Sequence, residues 1–347
     1  MLHKTMTILT SCPIPVRAVT PPSAAWRHAM QTAVRDPIEL CHRLQLSAEF
    51  ESAAIRASRS FPVFAPLSYI ARMEPGNPRD PLLRQVLPLD DELLMEKGFT
   101  SDPVGDLAAR RAAGLLHKYH GRALMITTGV CAVHCRYCFR RQYPYEDDRG
   151  IGARWADAVA EIQQDSSVEE VILSGGDPLT QGDAALARLA SMLAEIPHVR
   201  RLRIHTRLPI VIPERVTNEL VKWLRGTRLR PVMVVHANHP RELDEAVEAG
   251  LGRLADAGIL LLNQAVLLRG VNDCAETLAD LSHRLLDCRV LPYYLHQLDR
   301  VAGAAHFETP VEVGRQLVDA LTARLPGYAV PRYVREVPGA AAKVRIV

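Results

Sequence analysis

Gly129-Val130-Cys131-Ala132-Val133-His134-Cys135-Arg136-Tyr137-Cys138-Phe139-Arg140-Arg141 is the stretch from which the rest of the chain is read. Its three cysteines stand at spacings of four and three residues. A cubane [4Fe–4S] cluster has four irons, and most proteins give it four thiolates. Three thiolates in one tight loop hold three irons and leave the fourth open. An open iron can chelate a small molecule and pass it one electron. The alternatives are a three-cysteine zinc knot or three unrelated buried thiols. Zinc wants a fourth ligand nearby, and His134 points elsewhere if the loop wraps a cluster.

Outward from the loop, short β-rich runs alternate with helical stretches. Strands are predicted at 123–127, 170–173, 202–206, 232–236, 260–265 and 290–295, and helices near 153–164, 183–194, 213–224, 241–257, 275–286 and 310–325. Strand–helix units in series argue for a parallel sheet covered by helices. Six units are too few to close an eight-stranded barrel. The expected fold is therefore α/β, a partial (βα)6 TIM-like barrel with an N-terminal helical appendage. A flat doubly wound sheet is the runner-up. The cysteine loop follows the first strand. Ser174-Gly175-Gly176-Asp177 follows the second, His205-Thr206-Arg207 ends the third, and His236-Ala237-Asn238-His239 the fourth. Asn263-Gln264 closes the fifth, and Tyr293 to Asp299 the sixth. Polar residues at every C-terminal strand end mark the active face. Read locally, Gly175-Gly176 makes a tight turn, and Asp177 caps a helix.

Upstream, residues 1–20 read as irregular. Residues 24–44 read as mostly helical, with a fresh start at Asp36-Pro37, since proline suits a first turn. An amphipathic segment follows at 46–57, an extended run at 61–66, and a short helix at 68–73 that Pro75-Gly76-Asn77-Pro78 ends. The chain divides into an appendage over 1–100, a barrel over 101–330 and a terminal arm over 331–347. The appendage reads as a structural cap with no chemistry.

Composition excludes several classes. Hydrophobic residues make up 48% and charged residues 23% of 347, as in an ordinary globular chain. Net charge is +3, so nucleic acid is not the default partner. No apolar run approaches a membrane span, and the first 19 residues, broken by Pro13 and Pro15, lack a signal-peptide profile. Outside the loop, Cys12, Cys41, Cys274 and Cys288 are scattered. They suggest no disulfide framework, so a reducing cytoplasm is expected.

The cysteine loop resembles that of the radical S-adenosylmethionine (SAM) superfamily. With Ser174-Gly175-Gly176-Asp177, His236-Ala237-Asn238-His239-Pro240, Asn263 through Asp273 and Pro292-Tyr293-Tyr294, the chain resembles the lysine 2,3-aminomutase family over roughly residues 100–347. The Asp80 to Pro88 segment, Leu295-His296-Gln297-Leu298-Asp299 and Gly303-Ala304-Ala305-His306-Phe307 resemble one branch of it, which serves β-lysylation of elongation factor P.

That resemblance implies conversion of L-α-lysine to (R)-β-lysine with a [4Fe–4S] cluster on Cys131, Cys135 and Cys138, SAM, and pyridoxal 5′-phosphate (PLP). It makes Gly175, Gly176, Asp177, His236 and Gln264 SAM contacts. It places PLP on Lys343, one of only five lysines, after Pro338-Gly339-Ala340-Ala341-Ala342. Alanines stand there for most of the family's glycines. Tyr119 and Arg122 match positions near PLP and its phosphate. Arg140 matches the arginine that grips the substrate carboxylate, and Asp299 a carboxylate that holds the distal ammonium. Glu336 replaces a second aspartate, and His296 a tyrosine. The implied partners are free lysine, a flavodoxin- or ferredoxin-type electron donor and a ligase acting on elongation factor P. The sequence stops four residues after Lys343, so the expectation is a chain without the family's long C-terminal extension. Free lysine or glutamate 2,3-aminomutation in amino-acid metabolism is the alternative function, and a metal-bound structural module without turnover is the rival of a different class.

Overall fold

A computed structural model describes residues 22–148 and 151–347. The irregular 1–20 stretch and Cys12 lie outside the described residues. Ten strands form one sheet in chain order. They are β1 (Arg110–Ala112), β2 (Leu115–Tyr119), β3 (Arg122–Thr128), β4 (Glu170–Gly175), β5 (Arg201–Thr206), β6 (Arg230–Val235), β7 (Leu260–Val266), β8 (Leu291–His296), β9 (Arg332–Arg335) and β10 (Val344–Arg345). Pairing is parallel from β3 through β9. β1 and β2 pair antiparallel along one edge and β10 along the other. Among the described residues the two edge strands do not pair with each other, so the barrel is partial.

The six expected strands are β3 to β8. β9 is a seventh parallel strand, in a stretch that reads as an arm because it is four residues long and flanked by prolines. Val344 lies opposite Arg335 and Arg345 opposite Val334, so the arm returns on itself as a hairpin.

The outer helices are amphipathic for a simple reason. In the helix Asp183–Ala194, Leu186, Leu189, Ala190 and Leu193 recur at one-turn spacing and are buried on the sheet. Two expected helices begin late. Pro213–Arg215 makes one tight turn, and Asn218–Arg225 starts afresh because the Thr217 hydroxyl accepts the Leu220 N–H at 3.1 Å. Pro240–Glu242 does the same before Glu245–Asp256, where Asp244 accepts the Val247 N–H at 2.9 Å.

The N-terminal region holds helices Pro22–Gln31, Pro37–Arg43, Ala48–Ser58 and Leu67–Ile70. Asp36 accepts the Ile38 N–H at 2.9 Å, and Pro37 opens the second helix. Trp26, Leu40, Tyr69 and Leu83 share one apolar core with the barrel residues Ile126, Leu173 and Val235. No helix among the described residues is long and apolar enough to cross a membrane.

Candidate active site

The cysteine loop leaves the C-terminal end of β3 and lies against the end of β4. Gly175 has φ +120°, and a Cβ at Gly176 would stand 2.3 Å from the Val130 carbonyl oxygen. Gly176 and Asp177 N–H groups donate to the Thr128 and Val130 carbonyls at 2.7 and 2.8 Å. The glycine pair is therefore the seat of the cysteine loop. The Asp177 carboxylate is saturated by the N–H groups of Leu179, Arg207 and Leu208 and by the Thr206 hydroxyl. It caps one turn, as read locally, and clamps the end of β5.

The other side of the loop rests on the N-terminal region, whose residues support the loop structurally. His134 and Arg136 N–H groups donate to the Phe64 and Gln85 carbonyls at 2.9 Å each. Glu92 accepts two bonds from Arg136, at 2.7 and 2.6 Å, and one from Arg141 at 2.6 Å. All three side chains are nearly or wholly out of water. Removing one partner of a buried charge pair costs roughly 3–5 kcal/mol. Glu92→Ala is expected to fall in that range in urea unfolding, with an unchanged m-value. A loss below about 1 kcal/mol, the scale of an exposed pair, would show that the two guanidinium groups find other acceptors.

The three thiols are free and partly exposed. Burial, with Cys135 beside it, pushes the Cys138 thiol up to about 11. Burial holds Cys131 well above the usual thiol range as well. Among the described residues no three His, Cys, Asp or Glu side chains converge on a single-ion site. A cluster gives each thiolate its own iron and needs no such convergence. A buried guanidinium already reaches this donor set: Arg207 NH1 stands 2.8 Å from Cys135 Sγ. The loop thus fits a cluster better than a single ion.

A second group of residues gathers where the terminal hairpin meets the barrel. Lys343 continues the β9–β10 register and faces Glu336, its Nζ donating to Oε2 at 2.6 Å. Tyr119 also donates to Glu336 in a short hydrogen bond. Burial opposes the charge on Glu336, but Lys343 and the two hydrogen bonds outweigh it and hold the carboxyl below its usual range. Glu336 is thus engaged by Lys343 in this structure. Arg122 lies over the Tyr119 ring at 4.8 Å, and its guanidinium makes no hydrogen bond or ion pair among the described residues. Of residues 338–343, Gly339 alone takes left-handed backbone, at φ +77°, so alanines at 340–342 leave the turn unstrained.

Arg140 is buried and already paired. Its Nε donates to Asp106 Oδ2 at 2.6 Å and its NH1 to Ser174 Oγ at 3.1 Å. Lys118 Nζ holds the other Asp106 oxygen at 2.6 Å and the Val104 carbonyl at 2.7 Å. Asp106 was not singled out in the sequence, because one aspartate in a loop carries no pattern. Asp299 differs from every other acid here. Its carboxylate has no hydrogen bond or ion pair among the described residues. Burial, opposed by Lys343 and reinforced by Glu336, pushes it up to about 7.

Between the two groups lie three histidines from separate strand ends. Gln264 Nε2 lies 3.0 Å from His236 Nε2 and 3.5 Å from His205 Nδ1. The Nε2 atoms of His205 and His296 are buried without a partner. Burial keeps all three rings neutral, His236 at about 3 and the others well below the usual histidine range, with Lys343 adding to the effect. Orphaned nitrogens in a wall of neutral rings suit a polar, uncharged part of a ligand.

The sequence profile of the Radical SAM superfamily matches residues 125–281. L-lysine 2,3-aminomutase of Escherichia coli (strain K12) is 46% identical over 325 residues, covering 93% of this chain and 95% of that protein. L-lysine 2,3-aminomutase of Haemophilus influenzae is 44% identical, covering 90% and 93%. L-lysine 2,3-aminomutase of Clostridium subterminale is 35% identical, covering 93% and 77%.

Proposed function

The chain belongs to the lysine 2,3-aminomutase family of radical SAM enzymes, and on that premise we propose that it converts L-α-lysine to (R)-β-lysine for attachment to elongation factor P by a partner ligase. It is an aminomutase, an isomerase, and its family implies a [4Fe–4S] cluster, SAM and PLP. When bound, these groups supply one electron, a carbon radical made from SAM, and a π-system across which an amino group moves from the α- to the β-carbon.

The chain's own residues supply holding and exclusion of water. Cys131, Cys135 and Cys138 are the ligands to iron. Gly175 and Gly176 bear on SAM through the loop that they seat, while His236 and Gln264 form a neutral polar wall. Arg122 brings an uncommitted guanidinium to a phosphate, for which arginine is well suited, with Tyr119 beneath it. Lys343 is the PLP anchor: among the described residues Glu336 is its one partner, whereas Lys118 is tied to Asp106 and Val104. Arg140, held in place by Asp106, takes the substrate carboxylate.

The observation that carries the substrate is Asp299. Asp299 is half-buried, a carboxylate that loses part of its water without gaining a partner is unfavourable, and a lysine ammonium would pair it. A glutamate side chain would meet repulsion there. Support for the elongation factor P role is the resemblance of the Asp80–Pro88 and Leu295–Phe307 stretches to that branch. A low-potential electron donor completes the partners.

The test is an anaerobic assay of an amino-acid panel with SAM, PLP and reductant. Borohydride trapping and peptide mapping follow, and the product is then offered to ligase and elongation factor P. Lysine is the expected substrate, pyridoxyl the expected label on Lys343, and β-lysyl elongation factor P the expected end product. Turnover of glutamate instead, or label confined to Lys118 or Lys222, would overturn the reading. β-Lysine that no ligase transfers would assign the enzyme to free amino-acid metabolism.

A further inference from the structure

Arg207 directly follows β5 and is 5% exposed. Its NH1 reaches Cys135 Sγ at 2.8 Å. Its NH2 is held by Glu242 at 2.8 Å, Gln85 at 2.6 Å and the Tyr69 hydroxyl at 3.1 Å. Gln85 is fixed in turn by Glu242, Asn238 and Tyr137. The guanidinium lies 5.3 Å from the centre of the Tyr69 ring and 5.8 Å from that of Tyr137. Apart from Cys135, none of these residues is among the proposed ligands to iron. The frame leaves Arg207 one orientation, with a cation turned to the sulfur and its counter-charge on the far side.

We propose that Arg207 is a positioning residue for the cluster, fixing the Cys135 sulfur and raising the cluster's reduction potential. The inference rests on Cys135 being an iron ligand. In the step concerned, the oxidised cluster takes one electron from a low-potential donor, its net charge becomes one unit more negative, and no bond breaks. Hydrogen bonds to cluster sulfurs and local charge set such potentials. A fixed positive end close to the sulfur stabilises the reduced form more than the oxidised form. Burial keeps salt from screening it. Glu242 neutralises the pair as a whole, so what remains is an oriented dipole and the effect is moderate. Arginine suits the task because it stays charged when buried and its planar fork serves sulfur and carboxylate at once.

The experiment is spectroelectrochemical titration of the anaerobically reconstituted full-length enzyme, with iron and sulfide counted. Four proteins are compared: wild type, Arg207→Lys, Glu242→Gln and the double variant Arg207→Gln/Glu242→Gln. The double variant replaces a buried ion pair by two neutral amides, so it does not strand a charge. Its reduction equilibrium is expected to move three- to tenfold toward the oxidised form. A tenfold move reads as 59 mV more negative for one electron. Glu242→Gln removes the counter-charge and is expected to move the potential the other way. Arg207→Lys keeps the charge and should lie nearer to wild type than the double variant does. A merely structural role would not reverse sign between Glu242→Gln and the double variant. Full iron with one common potential overturns the proposal. So does a folded double variant that holds no iron, since Arg207 would then shape the loop rather than tune its sulfur. Wild type without a cluster would instead overturn the ligand assignment itself.

Discussion

Asp299→Ala is expected to lower kcat/KM for lysine about 150- to 5000-fold while iron and PLP contents stay at wild-type values. Truncating one partner of a dry charge pair costs roughly 3–5 kcal/mol, and each 1.36 kcal/mol is tenfold in rate. Among the described residues nothing donates to the Asp299 carboxylate, and burial pushes its carboxyl up to about 7. An unfolded aspartate titrates near 4. Between those values the folded protein keeps a proton that the unfolded chain has lost, so stability falls as pH rises from about 4 to about 7. Asp299→Asn carries no such charge. It should therefore melt above wild type at pH 8, with the difference closing toward pH 4. Substrate reverses the balance, because an ammonium favours the carboxylate. Wild-type kcat/KM should rise with pH through about 7, and Asp299→Asn should lack that limb. Wild-type kcat/KM in both variants would remove Asp299 from lysine recognition.

Replacing Cys131, Cys135 and Cys138 together by alanine is expected to abolish iron binding and SAM cleavage while the fold survives. The second half of that expectation distinguishes the two kinds of metal site. In a zinc knot the metal's binding energy is folding energy, and the apo-protein collapses. Here the loop is held without metal by Glu92, by the Gln85 and Phe64 carbonyls, and by the glycine seat on β4. Thermal melts of the triple variant should thus lie within a few degrees of apo wild type. Stoichiometric zinc without iron in anaerobically prepared wild type, or an unfolded triple variant, would favour the structural module.

Much of the architecture is legible in sequence because it is periodic. Strands β3 to β8 are runs of apolar residues between turn signals, and each ends in polar residues that a C-terminal barrel face exposes. The cysteine loop is legible because its chemistry needs a spacing within one turn of chain. Other partners were hidden because their partnership spans the chain. Glu92 meets Arg136 across 44 residues and Gln85 meets Arg207 across 122. Nothing in the local pattern of Asp106 or Glu242 distinguishes a buried anchor from a surface charge. Asp177 is half legible: its cap of the next turn is local, but its bonds to Thr206 and Arg207 lie 29 and 30 residues away. β9 is hard to read from sequence because Arg332-Tyr333-Val334-Arg335, two buried residues between two exposed arginines, shows no strand period.

The terminal hairpin has a consequence for turnover. With Val344 and Arg345 paired to β9 and the Ile346 N–H bonded to the Tyr333 carbonyl at 2.9 Å, the backbone that directly follows Lys343 is moored to the sheet. On the proposed role of Lys343 as PLP anchor, a lysine amine displaced by substrate stays within reach of the site because the next residue is held in the sheet. Recapture is then a first-order event governed by effective concentration, not by a search through solution. The last turn of chain acts as a tether that makes the resting state quick to restore.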